Sequence, residues 1–208
     1  MLSKKQIRML ELLDKQVSNC RKCELFKNKC SVPHWSPISK YMIISECPGY
    51  AEIRSGKPFM GVAGDIIKKG LSKAGFDNGN EFSIINSVQC MLGNTKPTDF
   101  QLDCCQDYVR KYIKILKPEK ILCLGNYAKY IFTGDTVGVL SQRGIFNDFT
   151  LSGSDIKYPV LITIHPAYCI YNSEDGIPML NEDLRLFKDS EFERESDWLF
   201  TEEDFLIT

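Results

Sequence analysis

Four short apolar runs, each followed by a stretch with helical periodicity, constrain this chain more than any other feature. They are Tyr41-Met-Ile-Ile44, Ser83-Ile-Ile-Asn-Ser-Val88, Lys120-Ile-Leu-Cys-Leu124 and Pro159-Val-Leu-Ile-Thr-Ile164. Runs without apolar–polar alternation read as strands covered on both faces, which is the signature of a parallel sheet between helices. The covering helices are expected at 65–74, ending at Gly75, at 99–116, stopped by Pro118, at 125–132 and at 179–188. A further one at 3–18 carries Ile7, Leu10, Leu13 and Val17 at helical spacing. The expected fold class is therefore three-layer α/β/α, with a central, mainly parallel four-stranded sheet. In such sheets ligands bind off the carboxyl ends of the strands, and there stand Glu46, Asn86 and His165.

A chain of 208 residues holds one core of this kind and is short for two. Its formal charge of −1 conceals an uneven distribution. Residues 190–208 carry seven acids against Arg194 alone, whereas residues 1–189 carry 25 bases against 20 acids. The expected organisation is a basic domain at 1–189 followed by an acidic, partly apolar tail, so the near-zero total excludes nothing about DNA. The first 16 residues lack the apolar stretch of a secretion signal, and no run reaches the roughly 18 apolar residues of a membrane span. The expectation is an intracellular protein without a membrane association, cytoplasmic or nucleoid-associated in a prokaryote or a virus-infected cell. In that compartment nine cysteines are buried apolar groups or metal ligands rather than disulfides.

Cys20-x2-Cys23 places two thiols one helical turn apart, and Cys90, Cys104 and Cys105 are available to complete a set. By spacing alone the product is a zinc site or a [4Fe–4S] cluster assembled by tertiary folding, with simple burial of Cys90 and Cys105 an even alternative. A second dense segment runs Glu46-Cys-Pro-Gly49, then Gly56-Lys-Pro-Phe59-Met-Gly61-Val-Ala-Gly64, ahead of a helix. Glycines there allow close backbone approach to a ligand, although an ordinary strand-to-helix loop has the same look. His165-Pro166 taken alone reads as a core histidine at a strand end.

Taken in order, the pieces are more specific: Cys20-x2-Cys23-x-Leu25, Ser45-Glu-Cys-Pro-Gly49, Gly56-x-Pro-Phe59-x-Gly61-x-Ala-Gly64, Asn86-x3-Cys90, Cys105-x2-Tyr108, Leu124-Gly125, Arg143-Gly144 and His165-Pro-Ala167. This succession resembles the family 4 uracil-DNA glycosylases, the iron–sulfur branch of the uracil-DNA glycosylase superfamily, over roughly residues 20–188. The resemblance implies a structural [4Fe–4S] cluster on Cys20, Cys23, Cys90 and Cys105, tying the N-terminal helical segment to the sheet. Cys105 is preferred to Cys104 because only it matches the Cys-x2-Tyr spacing, and Cys30 is close enough to the first pair to test. The resemblance further implies Phe59 as the surface on which the base stacks, and Pro48 and Gly49 as backbone around the base. Glu46 is assigned to the attacking water or the sugar cation, Asn86 to the edge of uracil, and His165 to the uracil O2. Glu52 is assigned to the wall that excludes the thymine methyl. DNA contacts fall to Arg143, Pro166, Tyr168 and Tyr171.

The sequence departs from the family at Ser45, usually Gly, and at Cys47, usually Ala or Gly, which sets an exposed thiol beside the pocket, open to oxidation or to tuning the loop. Ile53 replaces an acid, Asn94-Thr-Lys-Pro97 lacks an arginine, and Tyr171 stands for an arginine in the loop that wedges into DNA. The favoured function is excision of uracil from single- or double-stranded DNA by a monomeric enzyme. A catalytically weak DNA-binding accessory and a glycosylase for another modified base are the alternatives. Glu46, Phe59, Asn86 and His165 together favour the enzyme. Trp198, Phe200 and Phe205 among the tail acids suggest docking, either on the body or on a protein partner.

Overall fold

A computed structural model describes residues 1–76, 80–151 and 156–192. Apart from residues 190–192, the acidic tail lies outside the described residues. The chain opens with α1 (Lys4–Ser18), started by a capping box in which the Ser3 hydroxyl accepts from the Gln6 N–H and the Gln6 side chain accepts from the Ser3 N–H. Then follow β1 (Tyr41–Ser45), α2 (Tyr50–Ser55), α3 (Val62–Lys73) and β2 (Phe82–Asn86). Next come α4 (Asp99–Leu116), β3 (Lys120–Leu124), α5 (Asn126–Thr133) and α6 (Val139–Gln142). The chain continues through β4 (Phe146–Thr150), β5 (Lys157–Thr163), α7 (Tyr168–Tyr171) and α8 (Ser173–Asp189).

The sheet has five strands, one more than expected, in the order β2-β1-β3-β5-β4. The three pairings among the strands expected from the apolar runs are parallel, and the added β4 pairs antiparallel with β5 at one edge. Its sequence, Phe-Asn-Asp-Phe-Thr, has no apolar run because one face is open to solvent, and Asn147 and Asp148 discourage a further strand from adding.

Period-two alternation divides the sheet between two cores. Met42, Ile44, Ile121, Cys123, Val160 and Ile162 face the helices α1 and α4. Ile43, Leu122, Leu124 and Leu161 face α3 and α8. This is the expected three-layer arrangement. Asp14 of α1 reinforces the first layer by accepting from Tyr112 Oη at 2.6 Å and Trp35 Nε1 at 3.0 Å. Helix α8 starts at Ser173, earlier than expected, and carries Pro178 within it. Its first turn is anchored on Gly176, where a Cβ would come within 3.0 Å of Tyr168 and 3.2 Å of the Cys169 sulfur. A small third cluster of Leu25, Val88, Cys90, Leu92, Leu102 and Cys105 lies beside the first. Among the described residues no helix is long and apolar enough to cross a membrane.

Candidate active site

The parallel register places Ser45 of β1 beside Asn86 of β2, and the chain leaving β5 delivers His165 next to the end of β3. These strand ends open into a cavity of about 540 Å³. Of the residues singled out in the sequence, Pro48, Gly49, Glu52, Phe59, Asn86, His165 and Pro166 line it. The side-chain amide of Asn86 makes no hydrogen bond to any other described residue, while its backbone carbonyl accepts from Gln89 Nε2 at 2.5 Å.

His165 is oriented through its own loop. Its Nδ1 accepts from the Ala167 N–H at 3.2 Å, so the proton of the neutral ring sits on Nε2, which lies 3.5 Å from Ser45 Oγ. Burial lowers the imidazole pKa to about 4, so the ring is neutral near pH 7. It fits only because its neighbour at the end of β3 is Gly125, at φ +86°, where a Cβ would come within 2.8 Å of the His165 Cβ.

The glycine-dense segment proves to be a loop built around two side chains. Phe59 adopts φ +56°, a left-handed conformation that costs a non-glycine residue roughly 1–2 kcal/mol. A Cβ on Gly64 would fall 2.2 Å from the Phe59 carbonyl carbon, so the phenylalanine main chain rests directly on that glycine. Glu52 Oε1 accepts from the N–H groups of Met60 at 2.8 Å and Gly61 at 3.3 Å. Its other oxygen lies 2.6 Å from where a Gly49 Cβ would stand. Glu52 therefore ties together the two glycine loops that flank the cavity as well as lining it.

Glu46 is not brought into this group. Side chains alternate at the end of β1, so Ser45 turns toward the cavity and Glu46 turns away, and Glu46 does not line it. The pKa of its half-buried carboxyl is pushed upward by burial and drawn back by Lys96, and its charge adds to burial in raising the pKa of the Tyr127 hydroxyl. Cys47 does line the cavity, but burial and the adjacent Glu46 push its thiol up to about 12. A thiol held protonated near neutrality is a weak nucleophile.

Of the other residues expected at DNA, Tyr171 is 86% exposed, Pro166 is buried and Tyr168 half-buried. Arg143 departs from its expected place. Its guanidinium turns inward, donating to both carboxylate oxygens of Asp183 at 2.9 and 2.7 Å, to Glu182 at 2.9 Å and to the Met179 carbonyl at 2.8 Å. With its side chain 16% exposed and that of Asp183 only 1% exposed, this fork ties the approach to β4 onto α8. Sequence reasoning also missed one cavity wall, Ser31–His34, where His34 pairs with Ile84 through two backbone hydrogen bonds. That segment has neither periodicity nor motif. Tyr50 and Val62, 74% and 65% exposed, line the cavity as well.

Cys20, Cys23, Cys90 and Cys105 gather around a second, small pocket together with Cys30 and Cys104. Cys30 and Cys90 form an isolated antiparallel bridge with their sulfurs 3.1 Å apart, and the Cys104 thiol donates to the Lys22 carbonyl at 3.4 Å. All nine cysteines are free. Among the described residues no three His, Cys, Asp or Glu side chains converge on a point suited to one metal ion. The donors of this pocket are thiols, with no imidazole or carboxylate among its lining residues. This soft set suits iron–sulfur chemistry, in which each thiolate meets its own corner iron and need not share a centre with the others.

The family model of the uracil DNA glycosylase superfamily matches residues 32–188. Similar proteins include the type-4 uracil-DNA glycosylase of Saccharolobus solfataricus, 31% identical over 87% of this chain and 86% of its own length. That of Pyrobaculum aerophilum is 37% identical over 76% of this chain and 83% of its own. That of Thermotoga maritima is 29% identical over 81% and 87%.

Proposed function

The chain belongs to the uracil DNA glycosylase superfamily, and from that premise we propose that it hydrolyses the N-glycosidic bond of uracil in DNA, leaving an abasic site for excision repair. The observation that carries this reading is the neutral His165, whose Nε2–H meets Ser45 Oγ at the wall of a cavity that it lines together with Asn86 and Phe59. As the C1′–N1 bond stretches, its electron pair moves onto the departing base and gathers on O2. A donor already fixed in place stabilises that charge without reorganisation, typically by about 3–4 kcal/mol.

The target nucleotide is swung out of the stack, and its base lies against Phe59. The Asn86 amide pairs with the uracil edge, and cytosine, with donor and acceptor reversed, leaves buried polar groups unmatched. Such mismatches reject an analogue by on the order of 10⁴-fold. Glu52, fixed by the Met60 and Gly61 N–H groups, is the rigid wall against the thymine methyl. Pro48 and Gly49 shape the floor of the pocket. Glu46, set behind the cavity wall, favours the cationic sugar by its charge. Tyr171 and Tyr168 meet the opened strand by stacking.

Cys20, Cys23, Cys90 and Cys105 would hold the [4Fe–4S] cluster, which when bound supplies a covalent tie between the N-terminal segment and the sheet. Cys90 lies four residues beyond Asn86, so that tie also steadies a wall of the base pocket. The test is incubation with uracil-containing single- and double-stranded oligonucleotides, followed by alkaline cleavage of abasic sites. Cleavage at uracil is expected, sharply reduced in His165→Ala. Absence of cleavage on every substrate would overturn the reading.

A further inference from the structure

Ser45 stands at the centre of the row of strand ends, between Asn86 on one side and His165 on the other. Its side chain lines the cavity although the residue is only 6% exposed. Its backbone carbonyl is fixed, accepting from both the N–H and the hydroxyl of Ser87 at 2.8 Å. The hydroxyl has a different environment: its one described partner is His165 Nε2, at 3.5 Å.

The direction of that contact follows from the ring. Because His165 Nδ1 accepts from the Ala167 N–H, Nε2 carries the proton and must be the donor, and Ser45 Oγ the acceptor. The hydrogen of the Ser45 hydroxyl is then left over, at a buried position, with no protein acceptor among the described residues. A buried donor of this kind gains by meeting an oxygen. Two donors 3.5 Å apart can both reach one oxygen placed at ordinary hydrogen-bond length of about 2.8 Å from each. The ligand that presents an oxygen there is the base whose O2 the His165 Nε2–H addresses.

We propose that Ser45 is a second oxyanion donor: its hydroxyl and the His165 Nε2–H converge on the uracil O2 as the glycosidic bond breaks. The inference rests on the uracil-excision reading above and assigns it a further catalytic residue. No proton leaves the serine. The C1′–N1 pair departs with the base, water supplies hydroxide to C1′, and its remaining proton ends on the released uracil. Ser45 shares its hydrogen with O2 throughout and becomes more strongly bound as the charge grows.

The experiment compares wild type with Ser45→Ala in single-turnover cleavage of oligonucleotides carrying uracil or 5-fluorouracil, with binding measured in parallel. Fluorine stabilises the departing anion, so help from an oxyanion donor counts for less with that base. Ser45→Ala is expected to slow uracil release by about 10-fold or more, to leave Kd unchanged and to lose distinctly less rate on 5-fluorouracil. Ser45→Thr, which keeps the hydroxyl, is expected to recover part of the rate. An unchanged rate in Ser45→Ala, or equal losses on both bases together with weakened binding, would overturn the proposal. If wild type itself releases no uracil, the functional reading fails first, so the two failures are distinguishable.

Discussion

The main chain of Phe59 rests on Gly64, with the position of a Gly64 Cβ only 2.2 Å from the Phe59 carbonyl carbon and 2.3 Å from its oxygen. A loop residue at φ +56° is thus held against the first turn of α3, and the glycine is required by that contact. Its own helical conformation would accept any residue.

Gly64→Ala should therefore act through Phe59. Backbone, unlike the end of a flexible side chain, cannot swing aside, and overpacking of this sort costs roughly 1–3 kcal/mol. The expected result is a lower Tm and a fall in kcat/KM on uracil DNA, with the loss in activity larger than that produced by Gly61→Ala in the same loop, where φ is −98° and nothing lies within 4 Å. Equal effects of the two substitutions would show that the contact does not position the ring.

The second prediction concerns pH. Burial holds the His165 imidazole at about 4, below the ordinary value of about 6.5. Between these values the unfolded chain binds a proton that the folded chain excludes, so stability falls as pH drops from about 6.5 toward 4. The contribution is on the order of 3 kcal/mol. Denaturant unfolding near neutrality and near pH 5 should show a smaller fall in His165→Gln than in wild type. The cleavage rate should carry no inflection near pH 6.5, since the ring does not titrate there. An inflection there that vanished in the variant would mean a solvated ring.

Arg143→Ala should damage the fold and spare DNA binding. Removal leaves the Asp183 carboxylate, 1% exposed, without its guanidinium, a loss that typically costs 3–5 kcal/mol. Thr163 still donates to it at 2.5 Å, so the lower half of that range is expected. The salt dependence of DNA affinity, measured below the lowered Tm, should keep its slope. A shallower slope would return Arg143 to the DNA interface.

The cysteines divide by position. Cys105→Ser should abolish the visible absorbance and the roughly four irons per chain expected of a [4Fe–4S] protein. Cys104→Ser should leave both intact, because that sulfur turns to the Lys22 carbonyl. Cys30→Ser should also retain iron. Loss of the cluster in Cys30→Ser, measured as iron content, would make Cys30 a ligand.

Much of the fold was legible because burial on two faces leaves a mark in one dimension. The runs at β1, β2, β3 and β5 are apolar throughout, and α4 begins at Thr98 with a capping box and ends just before Pro118. The edge strand β4 was hidden, since half of its side chains face water and its pairing with β5 is made by backbone groups that carry no residue code. The start of α8 was hidden by Pro178, which ordinarily interrupts a helix.

By itself the sequence determined the layer order, the strand ends that flank the site, and the residue types gathered there: Asn86, His165 and the glycine loop. Only the tertiary structure decided which way those side chains face. Ser45 and Glu46 are neighbours in sequence, yet the alternation of a strand sends one into the cavity beside His165 and the other behind its wall. Arg143 has the charge of a DNA contact, but a buried Asp183 forty residues away along the chain claims it. Burial and orientation are set by what packs around a residue, and that information is spread over the whole chain.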